Sequence, residues 1–299
     1  MGQSAASEPF ASPVLTIERD DAIATVWLDR PEARNAMGHD LWRDLPRAMA
    51  EVSDDEGIRA VVVAAKGPHF SVGLDLKAMG GLLTGSGDPA PDAAAEPGAD
   101  AAAGSAPPSL AVRSARARND ILRFQAAITA VAACPKPVIA AVHGYCIGGG
   151  VDLIAACDIR LASADAIFSV REAKVAIVAD LGSLQRLPAI IGAGHLAELA
   201  FTGKDIDAER ARRIGLVNDV AADLDEVLKA ARELAREIAA NSPIAVQGTK
   251  AVLAANEGRS IAEGLDYVAT WNSAMLVSDD LVEAMTAFME RRPPKFTGR

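Results

Sequence analysis

An α/β core followed by a helical carboxyl-terminal region is the fold class this sequence predicts, and three observations carry it. Short apolar runs alternate with stretches of helical spacing up to about residue 202. Beyond Gly203 the pattern is almost wholly helical, with apolar residues three and four apart. Half of the 299 residues are hydrophobic, which permits one large core, or a core with a smaller appendage. Strands and helices alternating first, then helices alone, place the chain in the α/β class. No internal repeat is visible.

The elements follow in order. Residues 1–13 read as a flexible leader. Val14-Leu15-Thr16-Ile17 and Ile23-Ala24-Thr25-Val26-Trp27-Leu28 flank Arg19-Asp20-Asp21 as the arms of a hairpin. Asn35 is the expected cap of a helix running to about residue 52. Ala60-Val61-Val62-Val63-Ala64-Ala65 reads as a buried strand ending at Lys66-Gly67-Pro68, and the Gly73-containing segment leaves its carboxyl end, where ligand sites of sheet proteins often lie. Residues 80–108 shift to Gly, Ala, Pro, Ser and Asp, and hold too little apolar surface to offset their ordering entropy. That stretch is expected to be a mobile insertion, either a tolerated surface loop or a lid. A long helix over residues 110–133 ends before Pro135-Lys136-Pro137, so the next strand starts at Val138 and runs into His143-Gly144. The triplet Gly148-Gly149-Gly150 then opens a helix to about Cys157, and strands follow at 159–162 and 167–170. Helices are expected over 207–214, 224–240, 243–256, 261–275 and 279–290.

Composition excludes several function classes. A net charge of −10 argues against a general role on nucleic acid, which needs clustered Lys and Arg to neutralise phosphates. No apolar stretch is long enough for a membrane span, and the opening residues lack the charged start and apolar run of a signal peptide. Ala6 is wrong for myristoylation, and Thr297-Gly298-Arg299 is not a peroxisomal address. Cys134, Cys146 and Cys157 sit in apolar segments without metal-ligand spacing and read as buried reduced thiols, which fits the cytoplasm. The glycine triplet matches neither G-x-G-x-x-G nor G-x-x-x-x-G-K-[ST], and no G-x-S-x-G is present. The four histidines show no nucleophile or metal pattern.

The residues that point to chemistry are acids. Asp152, Glu172 and Asp180 fall among Val, Ile and Ala, where a carboxylate is costly unless paired, hydrogen-bonded or partly protonated. A setting that raises a carboxyl pKa is also what general acid/base work near neutral pH requires. Each has an ordinary structural alternative. Asp152 could simply complement the dipole of its helix, Glu172 could pair with Arg171 or Lys174, and Asp180 could cap a helix starting at Leu181. Asp158 reads as a structural partner of Arg160. The glycine triplet places unobstructed N–H groups at the positive end of a helix dipole, and a second N–H, from Leu74, would join them if the fold brings the two loops together. Two converging donors hold an anionic oxygen. Close helix–strand packing explains glycine equally well.

Taken together, Arg30-Pro31-Glu32-Ala33-Arg34-Asn35-Ala36-Met37, Phe70-Ser71-Val72-Gly73-Leu74-Asp75-Leu76, Ala141-Val142-His143-Gly144-Tyr145-Cys146-Ile147-Gly148-Gly149-Gly150 and Arg292-Pro293-Pro294-Lys295-Phe296 resemble the crotonase (enoyl-CoA hydratase/isomerase) superfamily. The resemblance covers nearly the whole chain from Val14, apart from the insertion. It implies repeated ββα units in an acyl-CoA-binding core at 14–202, and a helical region at 203–299 that builds a homotrimer or hexamer. It also implies an acyl-CoA whose thioester oxygen lies between the N–H groups of Leu74 and Gly149, with Leu74, Asp75, Leu76, Lys77 and Ala78 lining the substrate path. Arg34, Lys77 or Lys295 would meet the CoA phosphates. No metal and no cofactor beyond the substrate's own coenzyme A is implied, and no nucleic-acid or membrane partner.

Hydratases of this superfamily carry Glu at the positions of Asp152 and Glu172, and Pro-Gly where this chain has Ala179-Asp180. The three acids here, with Leu184-Gln185-Arg186-Leu187-Pro188, are similar instead to the Δ3,5-Δ2,4-dienoyl-CoA isomerases, in which all three acids belong to the active site. The expected activity is conversion of 3,5-dienoyl-CoA to 2,4-dienoyl-CoA in fatty acid β-oxidation. Enoyl-CoA hydration, 3-enoyl-CoA isomerisation and a non-catalytic acyl-CoA- or RNA-binding scaffold are the alternatives.

Overall fold

The computed structural model describes residues 10–79 and 109–299. Most of the expected leader and the expected insertion at 80–108 lie outside the described residues. Six strands form the main sheet: β1 (Leu15–Asp20), β2 (Ile23–Leu28), β3 (Ala60–Ala65), β4 (Val138–Val142), β6 (Ile159–Ser163) and β9 (Asp219–Ala221), side by side in that order. β1 and β2 are the expected antiparallel hairpin, with Leu15 opposite Leu28, and every later pairing in the sheet is parallel. A second sheet joins β5 (Tyr145–Ile147), β7 (Ile167–Ser169) and β8 (Ile206–Asp207).

β3 explains how the layers form. Its apolar run has side chains alternating between faces, so Val61, Val63 and Ala65 enter one core while Ala60, Val62 and Ala64 enter the other. The first face is covered by α1 (His39–Asp54), α2 (Leu110–Ala133) and α3 (Gly149–Ala155), and the second by α7 (Leu224–Ala239) through Val227, Ala231 and Ala235. Asp223 caps α7 by accepting from the Glu226 N–H. α4 (Ser183–Ile191), α5 (Ala193–Thr202) and α6 (Ala208–Arg213) connect the sheets to that helix. The region beyond 203 thus divides. β9 and α7 pack into the core, whereas α8 (Pro243–Ala255), α9 (Ile261–Met275) and α10 (Asp279–Glu290) keep large apolar side chains in the open, Phe288 at 85 % exposure among them. Ser260 and Glu263 form a capping box on α9.

Two expectations need correction. Asn35 does not cap α1, whose amino-terminal cap is Gly38. It sits in a left-handed conformation, and its buried amide instead staples the loop, accepting from the Arg30 N–H and donating to the carbonyls of Lys66 and His69. Asp158 does not pair with Arg160; it accepts from Lys250 Nζ and the Val138 N–H, while the Arg160 guanidinium donates to the carbonyls of Leu216 and Cys157. No helix among the described residues is long and apolar enough to cross a membrane. All three cysteines are buried and unpaired.

Candidate active site

The loop after β3 and the segment after β4 leave the carboxyl ends of neighbouring parallel strands, and they run on together as a ladder. Phe70 N–H donates to His143 O at 2.9 Å, Ser71 N–H to Tyr145 O at 2.9 Å, and Ile147 N–H to Ser71 O at 3.0 Å. On its other side the same loop pairs with Met37, whose N–H donates to Gly73 O at 2.8 Å and whose carbonyl accepts from Asp75 N–H at 3.0 Å. These bonds bypass the Leu74 N–H. The Gly149 N–H, at the first residue of α3, has no intrahelical partner. Among the described residues neither N–H has an acceptor. Packing also requires glycine here, since a Cβ at Gly149 would lie 2.9 Å from Met37 Sδ. Gly149 thus meets the packing reading and also leaves its N–H open.

Gly73 is the hinge of this convergence. Its φ is +84°, and a Cβ there would stand 2.8 Å from Ile147 O and 3.5 Å from Gly149 N. Both contacts are main chain and cannot rotate away. Gly73→Ala is expected to force the two loops apart, lowering stability by about 1–3 kcal/mol and turnover with it. Thermal melting and a steady-state assay on the same sample check this.

The three acids come from three separate supports. Asp152 is in the first turn of α3, 1 % exposed, with Oδ1 accepting from the Ser183 N–H at 2.6 Å and Oδ2 buried without a partner. Glu172 opens a 3-10 turn after β7, and its Oε2 is likewise buried without a partner. A Cβ built on Gly148 would be 3.3 Å from Glu172 Oε1, so this carboxyl lies against the glycine turn. Asp180 lies on the irregular segment before α4. Burial pushes the Asp152 carboxyl up to about 6, with Asp180 adding to the rise, and pushes Glu172 up to about 7, with both Asp152 and Asp180 adding to it. Asp180 is raised as well, by burial. Asp180 adds to the rise at both partners, so its ionisation disfavours theirs.

The ordinary roles open to these acids are largely set aside. Glu172 makes no ion pair among the described residues, and Arg171 pairs with Asp205 instead. Asp180 does not cap α4, whose cap is Gly182. Asp152 does occupy a helical first turn, but its buried and unpaired Oδ2 is not what a dipole-satisfying surface carboxylate would show.

A pH-dependent stability follows from Asp152. Its folded pKa, about 6, exceeds the ordinary 3.8, so the folded chain holds this proton more tightly than the unfolded chain. The stabilisation is complete below 3.8 and is lost as pH rises through about 6. Above that range the ionised form costs on the order of 2–3 kcal/mol. Asp152→Asn keeps an acceptor for Ser183 and removes the charge. It should raise the melting temperature at mildly alkaline pH, with the gain vanishing towards pH 4. A gain independent of pH would contradict the assignment.

The remaining expected residues are placed as follows. Asp75 is committed to the loop itself, pairing with Arg30 Nη1 at 2.8 Å and accepting from the N–H groups of Lys77 and Ala78. Leu76, Lys77 and Ala78 are exposed, as is Arg34, whose carbonyl accepts from the Val72 N–H of the same loop. Lys295 is elsewhere within the chain, because its neighbour Phe296 is held by Arg59 at the start of β3, the opposite end of the sheet.

Sequence reasoning missed Trp42 and Phe124, which stack at 5.0 Å, with Trp42 close behind Gly149. It also missed Ser183 and Gln125 and the supporting role of Arg186, which hold the acid-bearing segments, along with the helix α5; α4 entered only as a helix for Asp180 to cap. The amphipathic Leu184-Gln185-Arg186-Leu187 was the available signal for α4, obscured by Pro188 inside the helix.

Comparison with known proteins adds the following. The family model described as enoyl-CoA hydratase/isomerase matches residues 18–92 and 109–299. The peroxisomal Delta(3,5)-Delta(2,4)-dienoyl-CoA isomerase of Arabidopsis thaliana is 42% identical over 277 residues, covering 93% of each chain. The mitochondrial Delta(3,5)-Delta(2,4)-dienoyl-CoA isomerase of Rattus norvegicus is 44% identical over 272 residues, covering 90% of this chain and 77% of that one. Among solved structures, the enoyl-CoA hydratase from Bacillus anthracis superposes with a TM-score of 0.82 at 26% identity, covering 96% of this chain and 100% of that one.

Proposed function

Since the chain belongs to the enoyl-CoA hydratase/isomerase family, with its crotonase fold and its acyl-CoA isomerase or hydratase chemistry, we propose that its reaction is the isomerisation of 3,5-dienoyl-CoA to 2,4-dienoyl-CoA. The observation that carries this reading is the grouping of three acids, Asp152 buried and Glu172 and Asp180 half-buried, with Asp180 adding to the raised pKa of both others. Relatives named for this isomerisation support it.

Shifting two conjugated double bonds requires removal of a proton at C2 and delivery of one at C6. Glu172, ionised, takes the C2 proton, and the electron pair moves into the thioester to form a dienolate. The N–H groups of Leu74 and Gly149 hold the developing oxyanion, each such donor being worth about 3–4 kcal/mol where water is excluded. Asp180, protonated, gives its proton to C6 as the negative charge returns along the chain. One proton leaves and one arrives, so no oxidant, metal or cofactor is called on. Asp152 orients the pair and shares their charge. The raised pKa makes Glu172 a stronger base than an ordinary carboxylate, and burial shifts Asp180 in the direction that favours a proton-donating carboxyl.

Leu74, Asp75, Leu76, Lys77, Ala78 and Gly149 form the proposed substrate path, with Asp75 shaping the loop. The exposed apolar residues of α8–α10 support assembly into a trimer, or a hexamer of two trimers, since open apolar surface on this scale marks an interface. Buried reduced thiols fit a reducing compartment such as the cytoplasm, although the relatives' own names include peroxisomal and mitochondrial.

The test is to incubate purified protein with 3,5-dienoyl-CoA and, separately, with 2-enoyl-CoA while following ultraviolet absorbance. Growth of 2,4-dienoyl absorbance is expected. Loss of enoyl absorbance without it would make the chain a hydratase, and no change with either substrate would make it a binding scaffold.

A further inference from the structure

We propose that Gln125 and Arg186 are positioning residues, clamping the segment that carries Asp180 between α2 and α4 and so fixing the point at which the distal proton is delivered. The inference rests on the role proposed for Asp180. It begins from how that segment is held. Residues 177–182 have no regular structure, and among the described residues the main chain of 178–181 makes no backbone–backbone hydrogen bond at all. Val178 is 75 % exposed. An unpaired loop of this kind would ordinarily be mobile.

Side chains supply what the backbone lacks. Gln125 Nε2, on α2, donates to the carbonyl of Asp180 itself at 2.7 Å. Arg186 turns back from α4, with Nη1 reaching Leu181 O at 3.4 Å and Nη2 reaching Thr129 Oγ1 on α2 at 3.3 Å. Gly182 makes room for this turn, because its φ is +126° and any Cβ there would fall 1.8 Å from Arg186 Nη1. Just beyond, the Ser183 N–H holds Asp152 at 2.6 Å. The loop is therefore tied on two sides at consecutive residues, and the same ties connect it to another member of the carboxyl trio.

Neither side chain needs to touch the acyl chain for this to matter. Proton delivery to carbon depends on donor and acceptor atoms meeting in line, and a misplacement of about 1 Å can cost on the order of 10²-fold. Abstraction at C2 uses Glu172 and the N–H groups of Leu74 and Gly149, which are supported by other parts of the fold. Loosening the clamp should therefore separate the two half-reactions.

The experiment compares wild type with Gln125→Met, which fills a similar volume but has no donor, and with Arg186→Met as an independent second release. Each protein is incubated with 3,5-dienoyl-CoA in heavy water, and both 2,4-dienoyl formation and deuterium exchange at C2 are followed. For Gln125→Met, kcat for isomerisation is expected to fall about 10- to 100-fold, with KM and C2 exchange little changed; exchange in the same sample shows that the site is folded. Unchanged isomerisation in both variants overturns the proposal. So does a loss of exchange and isomerisation in equal proportion, which would be general structural damage. The two levels of inference fail separately. A wild type inactive on the diene, or a normal Asp180→Asn, removes the role of Asp180, whereas an active wild type and defective Asp180→Asn beside a normal Gln125→Met and a normal Arg186→Met remove only the clamp.

Discussion

Asp180→Asn should isomerise 3,5-dienoyl-CoA about 10²- to 10⁴-fold more slowly than wild type, the range a positioned general acid contributes, while still exchanging the C2 protons of the substrate with solvent. The substitution is close to isosteric, and the clamp grips the main-chain carbonyl of residue 180 rather than its carboxyl, so the loop should stay in place. The variant cannot ionise at position 180, so the contribution that ionised Asp180 makes to the raised pKa of Asp152 and of Glu172 is lost. Glu172 should then titrate lower and become a somewhat weaker base, which gives slower exchange but not its loss. Proton NMR in heavy water reads both events on one sample. Normal 2,4-dienoyl formation by this variant would end the assignment of Asp180 to C6.

Glu172→Gln should behave differently, losing C2 exchange and isomerisation together by about 10²- to 10⁴-fold. Without a base at C2 no dienolate forms, and the N–H groups of Leu74 and Gly149 have no oxyanion to stabilise. The neutral amide sits against the same glycine turn as the carboxyl, so acyl-CoA affinity, measured by titration calorimetry, should be retained. The two variants together settle the order of the roles. If Asp180→Asn abolishes exchange while Glu172→Gln preserves it, Asp180 is the base and Glu172 the acid.

Much of the scaffold was legible because its signals are local. The β1–β2 hairpin, the buried run of β3, the start of β4 after Pro137 and the helices over Ile261–Met275 and Asp279–Glu290 stand where periodicity and punctuation put them. Asn35 misled because asparagine suits both a helix cap and a left-handed loop position, and only the carbonyls of Lys66 and His69, brought by the fold, decide between them. β5, β8 and β9 have three residues or fewer, too short to show a period. The acids were visible as residue types in apolar company, and their grouping came from the family resemblance. What sequence could not reveal is the support around them. Gln125 and Asp180 are 55 residues apart and meet only because α2 packs beside the α4 turn, so no spacing rule connects them.

The ladder that draws Leu74 against Gly149 joins stretches separated by the whole of α2 and by β4. Turnover is consequently a late reporter of refolding. On the proposed mechanism, a chain that has regained its helices without zipping these two loops would show near-native circular dichroism and no turnover, because the proposed amide pair would not yet exist. Recovery of activity in a refolding experiment thus dates the closure of this ladder, and its lag behind helix recovery measures how late that closure comes.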